Sequence, residues 1–364
     1  MRKLFLTLII SACTTLIYAQ VITSPNGNLT LKFELTASGA PSYQLTYKQK
    51  PVIKPSTLGI ETSDVPSFTD GFTITKSEQT AVNNTWNPVL GEQKTITNNY
   101  KELLVTLTQK AQKDRFILLR FRVFNDGLGF RYEFPKQENL KYFVIKEENT
   151  QFNLAGDHKT FWIPGDYDTN EYPYTTSKLS EIPGLMKKAT IQISAQDPIK
   201  NLAIQTPSMM KADNGLYINI HEASLINYPA MSLNVDAANF RLSSHLTPDA
   251  VGNKGYMQTD AHTPWRTIVV SDKATDILAS KLILNLNDPT AYKDVSWIKP
   301  VKYMGVWWEY FIGGKSTWAY SNANNVKMGD DFSKLTPNGT HGATTQNVKK
   351  YIDFAAANGF DGVL

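Results

Sequence analysis

The chain has 364 residues, of which 41% are hydrophobic, 19% charged and 11% aromatic: an ordinary globular composition, able to bury a sizeable core and longer than one average domain needs. Its 37 basic and 33 acidic residues leave a formal charge of +4, with no Lys/Arg block. That spread excludes the concentrated basic footprint expected of a nucleic-acid binder.

Residues 1–19 read as a secretory signal peptide. A short basic start (Arg2, Lys3) precedes an apolar stretch, and the small Ala19 stands before Gln20. The stretch is short and interrupted by Thr and Ser, against the roughly 20 apolar residues of a membrane span. The segment "ISAC", ending at Cys13, also fits a bacterial lipoprotein cleavage site. The next residues, "TTLIYAQ", are still apolar and read as the rest of a signal, not as a surface tether. Cleavage after Ala19 removes Cys13, the only cysteine, so the mature chain forms no disulfide of its own. An exported chain without disulfides suggests a bacterial periplasm or cell surface.

From Val21 to about Asn287 the pattern has period two. "NLTLKFEL" sets Leu29, Leu31, Phe33 and Leu35 on one face, and "KELLVTLTQK" does the same with Leu103, Val105 and Leu107. In "RFILLRFRVFNDGLGFRYEF", Ile117, Leu119, Phe121 and Val123 alternate with Arg120 and Arg122. Turn residues come next at Asn125 to Gly127, and Phe130, Tyr132 and Phe134 complete a predicted hairpin. "GLYINIHE" and "PWRTIVVS" add strands, and "DKATDILAS" is the one short helix expected. Many strands and few helices predict a large antiparallel sandwich over residues 20–290.

The pattern changes over 291–364. After the linker "NDPTAYKDVSWIKP", the run "VKYMGVWW" (Val301 to Trp308) reads as a strand buried on both faces. A polar loop leads to a helix capped by Thr344 or Thr345, with a stripe at Val348, Tyr351, Ile352 and Ala355 and an end at Asn358-Gly359. "FDGVL" is a second strand. Strand, loop, helix, strand is a βαβ unit, which implies a parallel sheet. One unit cannot bury its own faces, so the segment is expected to open an incomplete (β/α)8 barrel, a fold of about 250 residues, in a chain truncated at Leu364.

No dinucleotide fingerprint, Walker loop, HExxH or Cys/His cluster occurs, and the five His are scattered; a strand histidine such as His221 reads as a structural hydrogen-bonder. The sequons at Asn28, Asn83 and Asn338 read as coincidence in a bacterial chain. Two stretches could carry chemistry. "FWIPGDYDTNEYPY", Phe161 to Tyr174, combines Phe161, Trp162, Tyr167, Tyr172 and Tyr174 with Asp166, Asp168 and Glu171. Flat rings suit the CH faces of a sugar, and carboxylates suit calcium, which takes six to eight oxygens. The alternative is a solvated turn whose Asp side chains bond its own backbone. In "GVWWE", Trp307 and Trp308 fall at the C-terminal end of the first parallel strand, where (β/α)8 enzymes gather binding groups; the alternative is a core pair.

Together "VFNDGLGFRYEFP", "FWIPGDYDTNEY", "GLYINIHEA", "TPWRTIVVSD", "PVKYMGVWW" and "VKKYIDFAAANGFDGVL" resemble glycoside hydrolase family 97, in order and over nearly the whole mature chain. The nearest likeness is to the α-glucosidase branch of Bacteroides starch-utilisation systems. A shorter loop after "GIETSD" is a local departure. The resemblance implies an N-terminal β-super-sandwich, a catalytic barrel and a small C-terminal β domain. It implies a calcium-dependent, inverting α-glucosidase acting on α-linked oligosaccharides such as those of starch; a second branch of the family is a retaining α-galactosidase. It matches Glu171 to a sandwich glutamate that reaches the catalytic calcium, and Trp307 to a tryptophan lining the sugar subsite. The general acid and base are expected beyond Leu364, so this segment alone is expected to be inactive. The competing reading from a different class is a non-catalytic carbohydrate-binding sandwich.

Overall fold

The computed structural model describes residues 19–193, 195–306, 309, 316–317, 319–323 and 326–364. The chain forms two compact units. One is built from residues up to Asn87 together with Lys94–Pro289, the other from Pro88–Gln93 and Thr290–Leu364.

Two large antiparallel sheets make the first unit. An eight-stranded sheet runs in the order Gln20–Thr23, Leu29–Leu35, Pro41–Tyr47, Lys50–Thr57, Gln151–Leu154, Arg241–Leu246, Met231–Asp236 and Ala203–Ile204. A ten-stranded sheet runs from Thr175–Lys178 through Lys159–Trp162, Ser208–Lys211, Tyr217–Ala223, Trp265–Ser271, Gly127–Phe134, Arg115–Phe124 and Ile96–Gln109 to Thr73–Trp86, with Ala261–His262 beside Gly127–Phe134. A three-stranded sheet joins Gly255–Gln258, Tyr142–Glu148 and Ile60–Thr62.

Alternation dictates which faces meet. The predicted hairpin forms with Leu119 opposite Tyr132, Phe121 opposite Phe130 and Val123 opposite Leu128. These six residues are fully buried, as are Leu29, Leu31 and Phe33 of the other sheet. The ring of Phe33 meets that of Phe121 at 5.4 Å, and Tyr43 meets Phe130 at 5.1 Å, so the core lies between the sheets. Each such burial stabilises the fold by roughly 1.5–3 kcal/mol.

Among the described residues, three α-helices accompany the sheets: Ile182, Leu185 and Met186 of the first join the main core, and Ile277, Leu282 and Leu286 of the other two segments cover the outer face of the ten-stranded sheet. Helix α1 (Ile182–Ala189) was not expected, because Pro183 and Gly184 look like breakers; Pro in the first turn is tolerated, since its missing N–H would have had no partner there. Helix α2 (Ala274–Ala279) is the expected one, and α3 (Leu282–Asn285) comes directly after it. Leu282 and Leu286 press on the sheet where it carries Gly127 and Gly129. A Cβ on Gly127 would meet the Ile268 carbonyl oxygen at 2.5 Å, and one on Gly129 would meet Leu286 Cδ1 at 2.5 Å. Absent side chains make the helix seat, closed by Tyr100, Phe124, Ala223, Trp265 and Val269.

A charged group is sealed on the other face of the strand Trp265–Ser271, inside the unit. Arg266 is fully buried; its Nε and Nη2 donate to the two Glu148 oxygens at 2.8 and 2.7 Å, and its Nη1 donates to Glu222 at 2.5 Å. Thr150 and Tyr228 also donate to Glu148. Burial alone would raise the Glu148 carboxyl, but the guanidinium and these donors hold it below the usual range. For Glu222 burial prevails and its carboxyl is raised.

In the second unit, Tyr303–Met304 pairs in parallel with Gly362–Val363, and helix α4 (Thr345–Ala357) connects them. Thr344 caps α4 by accepting from the Asn347 N–H at 3.2 Å, and Gly359 stands just past the helix at φ +71°. The expected strand Val301 to Trp308 is shorter than its apolar run: Val301 and Tyr303 are more than half exposed, with no layer over them among the described residues. Of the expected stripe only Ala355 is buried; Ile352 is half exposed. No described helix is long and apolar enough to cross a membrane.

Candidate functional site

The aromatic-acidic stretch connects two antiparallel neighbours, Lys159–Trp162 and Thr175–Lys178. Backbone bonds pin it to the adjacent loop: Gly165 N donates to Ala203 O at 2.8 Å, Tyr167 N to Asp197 O at 3.0 Å, and Ile199 N to Gly165 O at 2.9 Å.

Its three acids divide into one buried and two exposed. Asp166 is 5% exposed, and both of its oxygens are engaged. Oδ1 accepts from the backbone N–H of Asp168 (2.8 Å), Thr169 (3.1 Å) and Asp197 (2.9 Å); Oδ2 accepts from the Tyr172 hydroxyl (2.8 Å). Against the burial that pushes it up, these donors hold the Asp166 carboxyl below its usual range. The same contact, after burial, pushes the Tyr172 hydroxyl up to about 12. Gln205 closes the loop from the other side: its Nε2 donates to the carbonyls of Asp166 (2.7 Å) and Thr169 (3.1 Å), and its Oε1 accepts from Ser232. Asp166 thus adopts the backbone-bonding alternative, with both oxygens engaged inside the protein. Asp168 and Glu171 are exposed. The Glu171 backbone N–H is fixed on Thr169 Oγ1 at 3.2 Å, while among the described residues its carboxylate has no hydrogen bond or ion pair.

The five aromatics do not make one sugar-facing platform. Trp162 and Tyr172 are buried, Trp162 donating to Ser177 Oγ at 3.0 Å. Tyr174 is 63% exposed. Tyr167 stacks on His245, its hydroxyl 2.7 Å from Nε2. Burial, with Lys254 nearby, pushes the His245 imidazole down to about 4. Beside the loop lies a polar groove of about 310 Å³, whose walls include Tyr167, Asp168, Asn170, His221 and Glu222. His221 was expected to be a structural hydrogen-bonder; its Nδ1 is buried without a protein partner.

Calcium takes six to eight oxygens. Among the described residues no three His, Cys, Asp or Glu side chains converge to hold a metal. The Glu171 carboxylate, exposed and unpaired, fits as one hard-oxygen donor to an ion whose other ligands come from elsewhere. Trp307 lies outside the described residues. Its near neighbour Glu309 accepts from Asn347 (2.8 Å) and the Tyr351 hydroxyl (2.9 Å) of α4, which lower its carboxyl. Sequence reasoning missed Glu309, Gln205 and His245; an isolated residue of each kind gives no signal until the fold supplies its partner.

Comparison with known proteins places these features in a family. A family model described as the glycosyl-hydrolase 97 N-terminal domain matches residues 22–289. A retaining α-galactosidase of Bacteroides thetaiotaomicron is 26% identical over all of this chain and 53% of its own length. A probable retaining α-galactosidase of Streptomyces bingchenggensis is 25% identical over 90% of this chain and 42% of its own. A family 97 enzyme of Pseudoalteromonas, solved with acarbose and also with panose, superposes with a TM-score of 0.77 at 35% identity, over 94% of this chain and 46% of that one. The chain thus spans about half the length of the curated relatives it matches. With the family model covering the sandwich almost from end to end, the chain belongs to glycoside hydrolase family 97.

Proposed function

We propose that this chain is the N-terminal part of an exported, calcium-dependent glycosidase that hydrolyses α-linked glucosides such as starch oligosaccharides, with inversion. The observation that carries the reading is the Glu171 carboxylate, exposed and unpaired among the described residues, on a loop whose turn Asp166 and Gln205 hold by hydrogen bonds. Support for a glucoside substrate comes from the 35% identity to an enzyme that takes up acarbose and panose, against 26% and 25% to the α-galactosidases.

The second unit supports a barrel. Its strands pair in parallel, and a hollow of about 450 Å³ lined by Val306, Val348, Ile352, Phe360 and Leu364 suits the packing of further repeats. In this reading residues 291–364 begin the (β/α)8 domain, Trp307 lines the sugar subsite, and the general acid and base lie beyond Leu364. One carboxyl protonates the glycosidic oxygen while the other activates water on the opposite face, which requires a separation of about 6.5–9.5 Å. Bound calcium would add positive charge that stabilises nearby carboxylates in their ionised form. Glu171 would contribute a donor oxygen to it. Residues 1–19 direct export to the periplasm, with the mature chain starting at Gln20; a lipid anchor at Cys13 is the alternative that N-terminal sequencing of the secreted protein distinguishes.

A second reading has specific support: both curated relatives are named as α-galactosidases that retain configuration. The full gene product assayed on nitrophenyl α-glucoside and α-galactoside, with the first-formed anomer followed by proton NMR, separates the two. The β-anomer of glucose is expected. Faster galactoside turnover with the α-anomer overturns the proposal in favour of the second reading, and no turnover of either overturns both in favour of a binding module.

A further inference from the structure

We propose that Asp166 is a positioning residue for Glu171: its buried carboxylate fixes the loop in the shape that holds the Glu171 carboxylate out to the metal. The inference rests on the reading of Glu171 as a calcium donor and goes beyond it, since both Asp166 oxygens are spent on bonds within the protein and serve the loop.

The loop is polar and its outer residues are solvated, so nothing apolar orders it at Thr169, Asn170 and Glu171. Over that stretch Asp166 is the side chain on which the most bonds converge. Asp166 gathers the N–H groups of Asp168 and Thr169 from its own loop, that of Asp197 from the facing loop, and the Tyr172 hydroxyl immediately after Glu171. Glu171 therefore sits between two fixed residues: Thr169, whose hydroxyl takes its N–H, and Tyr172, 3% exposed and tied to Asp166. Gln205 grips the carbonyls of Asp166 and Thr169, the ends of the same turn. A donor held on a fixed turn needs little ordering when the ion arrives, and preorganisation of that kind raises affinity without adding a ligand. Groups that orient metal ligands typically contribute 10–100-fold to metal affinity.

The test is calorimetric titration of calcium into the full gene product and four variants, with thermal melting in chelator as a separate readout of folding. Glu171→Gln should weaken binding about tenfold or more, as loss of a ligand, and Asp166→Ala should weaken it by about 10–100-fold. Asp166→Asn keeps an oxygen for the three N–H groups and should retain most of the affinity. Gln205→Leu leaves every carboxylate intact and should still weaken binding, which keeps the inference testable if Asp166→Ala does not fold. Wild-type affinity in both Asp166→Ala and Gln205→Leu, alongside weakened Glu171→Gln, overturns the positioning role and leaves the donor reading standing. Asp166→Asn as weak as Asp166→Ala also overturns it, because charge and not the hydrogen-bonded turn would then be what matters. Unchanged binding in Glu171→Gln overturns the donor reading itself.

Discussion

Replacing Arg266 with methionine removes the cation that two buried carboxylates share inside the sandwich unit. The side chain is fully buried and makes three bonds to Glu148 and Glu222, themselves 0% and 7% exposed. Methionine fills similar space, so cavity formation is a small part of the effect. What remains is two buried carboxyls with no countercharge. Loss of one partner from a buried pair costs about 3–5 kcal/mol. Thr150, Tyr228 and the Met231 N–H still donate to the carboxyls, so we expect about 4 kcal/mol at pH 8, a large share of the roughly 5–15 kcal/mol that holds a domain. The sign with pH is distinctive. In the parent, the Glu148 carboxyl is held low, so its contribution is present above the unfolded value of about 4.3 and is lost as pH falls. In the variant, burial without a cation raises both carboxyls; the folded state then binds more protons, and its stability increases as pH falls toward 5. The difference between the proteins should therefore shrink by roughly 1–2 kcal/mol from pH 8 to pH 5. Urea unfolding followed by tryptophan fluorescence reads this directly, since Trp162 and Trp265 are buried in the same unit. A loss below about 1 kcal/mol, or an equal loss at both pH values, refutes the reasoning.

Two further outcomes are expected. Gly127→Ala should cost about 2–3 kcal/mol in urea unfolding and Gly129→Ala less, because the first meets a backbone carbonyl and the second only the movable end of Leu286; equal costs would contradict the proposed seat for α3. His245 is neutral when folded, with a pKa of about 4, and titrates near 6.5 when unfolded, so it has no effect on stability above that range. As pH falls from about 6.5 toward 4 the unfolded chain takes the proton first, and on the order of 2 kcal/mol is lost; His245→Phe should flatten that limb of the pH–stability curve, and an unchanged limb would count against the burial argument.

Much of the fold was legible because alternation is a local signal. The hairpin through Phe121 and Phe130 could be read from its own residues, since the pleat sends every second side chain into the core. The long edge strand Thr73–Trp86 could not: it is exposed along nearly its whole length and carries no alternation. Helix α3 escaped because its seat is the pair Gly127 and Gly129, which in sequence read only as turn and hairpin glycines. The site was half legible. Composition marked Phe161 to Tyr174 as a place for carboxylate chemistry, but three carboxylates look alike until the backbone closes around one of them. Asp166 became the staple because three N–H groups converge on it, one from Asp197 in another loop. Arg266, Glu148 and Glu222 are far apart in sequence, and only sheet pairing and sandwich packing bring them together.

The most direct measurement of whether the sandwich loop belongs to a metal-dependent sugar site is calcium binding by the full gene product with Glu171 intact and as Glu171→Gln. The account predicts saturable binding that the substitution weakens about tenfold or more, together with α-glucoside hydrolysis that chelator abolishes and calcium restores. Identical calcium affinity in the two proteins, or hydrolysis indifferent to chelator, would contradict it.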